Sequence, residues 1–152
     1  MAKFSFNGVD SLEASFEQLS QLSSEEKLSI LLPSGQLLLE RQKEKIRKLF
    51  KRRTGDLEDS LTLSTKEGEE SPIVTIYPTG KHRNSFTGKR MKKGRPSGKY
   101  SGTNAEVAYI LNYGSPRIAA THWLENANEE AEEDVIAAQQ EAFNELLEKK
   151  GL

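Results

Sequence analysis

Ten residues, Ala105-Glu106-Val107-Ala108-Tyr109-Ile110-Leu111-Asn112-Tyr113-Gly114, constrain the fold of this chain more than any other stretch. They make its most apolar strand candidate, and the run is closed by Gly114 and Pro116. An apolar run of this length between Gly and Pro predicts a buried strand with a sharp exit. Beyond Ser115-Pro116-Arg117 the pattern re-enters a helical period at Thr121-His122-Trp123-Leu124. The rest of the chain can be arranged around that strand.

Upstream, Lys3-Phe4-Ser5-Phe6-Asn7-Gly8 reads as a short leading strand ending in a turn, followed by a helix that Asp10 and Glu13 can box at its start. A second start signal stands at Ser23-Ser24-Glu25-Glu26. From there Leu28, Leu31, Leu32, Gly35, Leu38, Leu39, Gln42, Ile46, Leu49 and Phe50 recur at helical spacing. The stripe keeps its register across Pro33, so either one kinked helix or two helices meeting there is predicted. Its other faces are basic, from Arg41 to Arg53, and Thr54-Gly55 is the expected end, with Gly55 in a left-handed cap. Leu57, Leu61 and Leu63, then Ile73 to Tyr77, read as an antiparallel pair that Pro78 stops. The last helix opens on an acidic run from Glu125 to Asp134, carries an apolar stripe from Leu124 through Ala127, Ala131, Val135, Ala138 and Ala142 to Leu146, and closes at Lys149-Lys150-Gly151.

Charge is strongly segregated. The chain has 22 basic and 23 acidic residues, yet nothing acidic lies between Ser71 and Ala105. That stretch interleaves Lys81, Arg83, Lys89, Arg90, Lys92, Lys93, Arg95 and Lys99 with glycines, a composition that cannot bury enough apolar surface to pack. A long mobile basic loop over 79–104, inserted between strands, is the expectation. The sequence therefore predicts one domain over 1–152, with an antiparallel pair, a long helix of the N-terminal half and a C-terminal helix.

Several functions are poorly served by these residues. There is no cysteine, so disulfides and thiolate chemistry are excluded. His82 and His122 lack ligand partners at metal spacing. Neither Gly80 to Lys89 nor Gly94 to Lys99 has the spacing of a phosphate-binding loop, and no serine sits in a nucleophile elbow. No catalytic residue, metal or cofactor is expected, and His122 reads as a strand-exit or interface residue. No apolar run reaches membrane-spanning length, which predicts a soluble chain without a signal peptide or membrane partner. The basic loop has two readings. It can neutralise phosphates while Phe86 and Tyr100 stack on bases, or it is a solvated insertion. The basic and acidic helices can pair within one molecule, or between subunits to set orientation.

The ordered set Arg53-Thr54-Gly55-Asp56-Leu57-Glu58-Asp59-Ser60-Leu61, then Val107-Ala108-Tyr109-Ile110-Leu111-Asn112-Tyr113-Gly114, then His122-Trp123-Leu124-Glu125-Asn126-Ala127 resembles a phage morphogenesis family. These are the head–tail joining or tail-completion proteins of long-tailed phages and prophages. Their motifs run Thr-Gly-x-Leu-x-x-Ser-hydrophobic, Tyr-Ala-x-x-hydrophobic-Glu-Tyr/Phe-Gly-Thr and Pro-Phe-hydrophobic-x-Pro-Ala. Here Ala108-Tyr109 inverts the usual order, Asn112 stands where Glu or Gln is common, His122-Trp123 replaces Pro-Phe, Asn126 replaces the second Pro, and Arg53 precedes Thr54 where the family has Pro. The resemblance implies an α+β fold, a small antiparallel sheet packed by a long helix of the N-terminal half and a C-terminal helix, in a virion protein of the neck or head-proximal tail assembled in the host cytoplasm as a homo-oligomeric ring. The implied neighbours are the head connector or adaptor and the tail-tube or tail-terminator proteins, with non-specific contact to packaged DNA. Thr54, Gly55, Leu57, Ser60, Leu61, Tyr109, Tyr113, Gly114, Trp123 and Leu124 are then structural motif residues. The eight basic residues from Lys81 to Lys99 are candidate contacts with DNA or an adjoining ring. The competing class is a nucleic-acid-binding module that joins this loop to the Arg41–Arg53 helix as one patch.

Overall fold

A computed structural model describes residue 17 and residues 21–50, 55–68, 71–81 and 103–151. Helix α1 (Ser24–Leu49) starts where Ser23 and Glu26 form a reciprocal capping box: the Ser23 hydroxyl accepts from the Glu26 N–H, and the Glu26 carboxylate accepts from the Ser23 N–H. Two orphan donors of the first turn are thereby satisfied. Pro33 lies inside the helix, which continues through it as one element. Beside it, Ser34 turns its hydroxyl back onto the Leu31 carbonyl at 2.8 Å. The helix ends at Leu49, with Phe50 extended at φ −118° and ψ 134°, earlier than the Thr54-Gly55 boundary predicted from sequence. Gly55 does take the left-handed conformation (φ 76°), but as the entrance to the one-turn helix α2 (Asp56–Ser60).

Strands β1 (Leu61–Glu67) and β2 (Pro72–Pro78) follow as an antiparallel hairpin in which Leu61 faces Pro78 and Glu67 faces Pro72. The Gly68 N–H donates to the Ser71 carbonyl at one end, and the Thr79 N–H to the Ser60 carbonyl at the other. Antiparallel ladders alternate, so the hydrogen-bonded pairs are Thr62–Tyr77, Ser64–Thr75 and Lys66–Ile73. Pro72 and Pro78 fall in the intervening pairs, where a strand N–H points away from its partner, so neither proline interrupts the ladder.

A two-stranded sheet is marginal alone. This one leans on α1 through Leu63 and Val74, and Gly35 makes the approach possible. A β-carbon at that position would stand 2.9 Å from both Leu63 Cδ1 and Val74 Cγ1. The glycine of the helical stripe is therefore the point where the sheet comes nearest to the helix backbone.

The segment from Ala105 departs most from expectation. It is not a strand but helix α3 (Asn104–Tyr113), with Tyr109 and Tyr113 both exposed. A second capping box sets its start: Thr103 Oγ1 accepts from the Glu106 N–H, and Glu106 Oε2 from the Thr103 N–H. Gly114 (φ 83°) ends the helix, with the Ala120 nitrogen and Ile118 carbonyl so close that a β-carbon would stand 2.8–2.9 Å from them. The glycine-proline exit is thus a helix end. The chain between β2 and α3 accordingly does not run between strands, and most of the predicted loop lies outside the described residues.

Helix α4 (Trp123–Lys150) runs to Gly151, which caps it in the left-handed region (φ 71°). It lies antiparallel to α1: Glu26 meets Lys150, Ser34 meets Gln139, and Lys45 meets Glu130. Ala127 and Ala131 are fully buried on this seam, where small side chains let the helices approach. The core gathers Ile46, Leu57, Leu61, Ala108 and Trp123 from α1, α2, β1, α3 and α4. The architecture is α+β, a two-stranded antiparallel sheet packed by a long helix and a C-terminal helix.

Replacing Gly35 by Leu is expected to lower stability by about 1–3 kcal/mol, the cost of overpacking against a stiff β-branched neighbour. The exposed neighbour Gln36 serves as control, since its change to Ala should stay within about 0.5 kcal/mol. Denaturant titration of both variants measures the difference.

Candidate functional site

The residues singled out in the sequence divide into two environments. Gly55, Leu57, Ser60, Leu61 and Trp123 are buried and Leu124 is half-buried. Leu57 and Leu61 enter the core from either end of α2, and the Ser60 hydroxyl closes the turn on the Leu57 carbonyl at 2.7 Å. The Trp123 indole N–H donates to the Ala108 carbonyl at 3.3 Å, so the one tryptophan ties α4 to α3 with its polar edge satisfied. Asp56, Glu58 and Asp59, expected to stay wet, do so only at Asp59; Asp56 and Glu58 are buried. Arg47 explains the burial of Glu58, because its Nε donates to Glu58 Oε1 from the last turn of α1. Thr54 lies outside the described residues.

A polar corner joins α3 to α4 around Asn112, which the sequence marked only as a departure from the family motif. That side chain is 2% exposed. Its Nδ2 donates to Glu125 Oε1 at 3.0 Å, and its Oδ1 accepts from the Leu124 N–H at 3.0 Å. The carbonyls of Leu111 and Asn112, orphaned at the end of α3, accept from the N–H groups of Thr121 and His122. One asparagine therefore serves as side-chain cap for the N-terminus of α4 and fixes the crossing of two helices. His122 stands at this corner with φ 48°, the sole described residue other than glycine with positive φ. The Glu125 carboxyl is held below its ordinary range, first by its own backbone N–H, then by Asn112 and Tyr113 and by the nearby His122; partial burial works the other way.

Outward from this corner, α3 shows a different face. Tyr109 and Tyr113 are 63% and 53% exposed, with ring centroids 4.8 Å apart and planes tilted by 51°. Ala105, Glu106, Tyr109 and Ile110 line an open depression of about 340 Å³ beside them. Aromatic rings exposed side by side on one helix are informative in a way that a lone exposed leucine is not.

The base of the basic segment is built, even though its span is not described. Lys81 pairs with Thr103 in a short antiparallel bridge, the Asn104 N–H donates to the Gly80 carbonyl, and Asn104 Nδ2 donates to the Thr79 carbonyl at 2.7 Å. Lys81 is exposed there; Arg83, Lys89, Arg90, Lys92, Lys93, Arg95 and Lys99 lie outside the described residues. The α1 cations, by contrast, are already engaged. Arg41 pairs with Asp134 and Glu44, Lys43 with Glu40, Lys45 with Glu130, Arg47 with Glu58 and Lys48 with Glu44. Of the two pairings read from sequence, the basic and acidic helices make the intramolecular one.

Among the described residues no group of three or more His, Asp or Glu gathers as a metal site, and no helix is long and apolar enough to cross a membrane. Comparison of the chain with protein-family models, curated proteins and solved structures returns no match.

Two measurements probe the corner. Asn112→Ala should lose about 1–3 kcal/mol, the range for leaving a buried hydrogen-bonding group unpaired. Asn112→Asp should be destabilised at neutral pH by a second carboxylate facing Glu125, and should recover relative to the parent as pH falls. Separately, Glu26 is held low first by Lys150 and Glu125 by its own backbone N–H. A carboxyl lowered in the folded state contributes stability above its unfolded value, 4.5, and that contribution is lost as pH falls through the folded value. Denaturant midpoints should therefore drop below about pH 4.5, less steeply in Glu26→Gln and Glu125→Gln.

Proposed function

We propose that this protein is a structural subunit of a tailed-phage virion, forming a ring in the neck or head-proximal tail that joins the head connector to the tail. The observation that carries this reading is the ordered motif set from Thr54 to Ala127 in the sequence. The places its residues occupy support it. Leu57, Leu61 and Trp123 are fold determinants in one core, Gly55 and Gly114 take backbone that favours glycine, and Tyr109 and Tyr113 face outward. A protein that works by assembly needs a rigid frame and an exposed contact surface, and the described residues supply both. Assembly within the host cytoplasm and residence in the virion follow from the same reading.

Charge supports a heterologous contact, the kind that closes rings. The eight cations of 81–99 leave fourteen basic residues elsewhere against twenty-three acidic ones, so a segment of charge +8 belongs to a body of charge −9. Subunits with that polarity attract one another head to tail.

The alternative, a nucleic-acid-binding module, keeps one specific observation in its favour: the acid-free basic segment springs from a built stem at Gly80 and Asn104. In the other half of its patch Arg41, Lys43, Lys45, Arg47 and Lys48 have carboxylate partners within the chain, while Lys51, Arg52 and Arg53 lie outside the described residues.

Light scattering of the purified protein, alone and with a connector or tail-tube partner at modest salt, separates the two. The ring reading expects a closed oligomer, free or on the partner. A monomer indifferent to every virion partner, yet binding DNA with an affinity that falls steeply with salt, would overturn it in favour of the module.

A further inference from the structure

The two edges of the β1–β2 hairpin are not equivalent. Residues that bond across the hairpin are the even-numbered ones of β1, so Leu63, Thr65 and Glu67 direct their N–H and C=O groups to the outer edge of β1. On the outer edge of β2 the corresponding residues are Pro72, Val74, Ile76 and Pro78. Prolines at both ends remove half of the donors that a further strand would need, which is how natural sheets close an edge. The β1 edge carries no proline from Leu61 to Glu67, and among the described residues no strand pairs with it. Leu61 differs from the others in that its N–H already bonds the Glu58 carbonyl, so the open donors begin at Leu63.

The chain also holds a segment suited to such an edge. Lys3-Phe4-Ser5-Phe6-Asn7 alternates apolar and polar residues with the period of a strand, contains no proline or acidic residue, and is followed by Gly8. Residues 1–16 lie outside the described structure, and α1 begins at Ser24. Glu17 is helical, with its carbonyl accepting from the Gln21 N–H, and with the helix expected from Asp10 the residues between Phe6 and Ser24 span about 30 Å. On the β1 edge, Phe4 and Phe6 would extend the apolar face that Leu61 and Leu63 turn toward α1, with Lys3 and Ser5 beside Thr62 and Ser64.

We propose that the open edge of β1 is completed by the Lys3–Phe6 segment of a second copy of this chain, added as a third strand. Donor and acceptor are different surfaces, so the contact is heterologous and propagates from subunit to subunit, as a closed ring requires. This rests on the ring assembly proposed above and names the contact that holds it.

The full chain, a variant lacking residues 1–8, and Thr65→Pro are compared by light scattering and by amide hydrogen exchange at Leu63, Thr65 and Glu67. The Thr65 N–H points outward, so proline there blocks the edge while leaving the β1–β2 ladder whole, which exchange at Thr62 and Ser64 verifies. The full chain should assemble with those three amides exchanging at least about tenfold more slowly than in the truncated chain, and with the Leu63 and Glu67 amides slowed as much relative to Thr65→Pro, which has no amide at 65; both variants should lose mass. A peptide of residues 1–10 added to the truncated chain should restore the protection without restoring the oligomer. If the truncated chain assembles like the full one, with equal exchange at β1, strand donation is overturned and the ring stands on another contact. If the full chain never assembles, alone or on a virion partner, the ring reading fails and donation between copies fails with it. Protection of β1 in a full chain that stays monomeric would place the segment on its own sheet, and would also overturn donation by a second copy.

Discussion

The seam between α1 and α4 is the constraint on which the rest of the structure depends. Two helices of 26 and 28 residues run antiparallel, each about 40 Å long. Neither is strongly apolar. Small residues on one side, Ala127 and Ala131, let Gln42 and Ile46 of the other helix pack at close range, and Gln42 donates to Asn128 across the contact. Ion pairs flank that strip: Lys45 with Glu130, Arg41 with Asp134, and Lys150 with Glu26 at the far end. Exposed pairs contribute little energy each. Their consequence here is register, because a slide of one turn would set Lys45 and Arg41 against the wrong neighbours along an otherwise repetitive acidic helix. The sheet then attaches to α1 at Gly35, and α3 to α4 through Trp123 and Asn112.

That hierarchy explains which parts of the fold were legible in the sequence. The long helices are read from periodicity over seven turns, the start of α1 from Ser23 and Glu26 and the end of α4 from Gly151, whereas α1 stops at Leu49, short of the expected Thr54-Gly55. The hairpin is read from Leu61 and Leu63 before a Gly- and Glu-rich turn and from the β-branched run Ile73 to Tyr77 after it, while Leu57, grouped with the first strand, lies in α2. What failed was the stretch from Ala105, because a short apolar run looks alike in a buried strand and a half-buried helix. The deciding signal was present but upstream: Thr103 and Glu106 are three residues apart, the spacing of a capping box. Tyr109 and Tyr113, four apart, also lie on one helical face; in a strand they would share the buried face with no room for two hydroxyls. Glu58 was misread for a different reason. Its partner Arg47 lies across a chain reversal, and no local pattern announces such a pair.

The candidate surfaces were legible in composition and hidden in geometry. An acid-free basic segment is visible at once, but that α1's cations are neutralised within the chain depends on the antiparallel seam. The same geometry decides what remains for partners. Features left open to partners among the described residues include the tyrosine face of α3, the outward acidic residues of α4 such as Glu129 and Glu133, exposed Ile73 and Tyr77 on the hairpin, and the β1 edge.

Of these, the β1 edge bears most directly on how a small sheet can be stable. Two strands expose as many backbone groups as they pair, and packing on α1 buries only one face. A monomeric protein usually closes such edges, and here the closure is one-sided: proline at both ends of β2, none on β1. Thr62, Ser64 and Lys66 give the outer face of β1 polar side chains, beside the exposed Ile73 and Tyr77 of β2. An edge left open beside one that is closed directs pairing to a single side, and each chain carries one Lys3–Phe6 segment to supply it. Limited, directional extension of this kind suits a finite assembly. A hairpin open on both edges would instead allow growth in either direction, toward fibres.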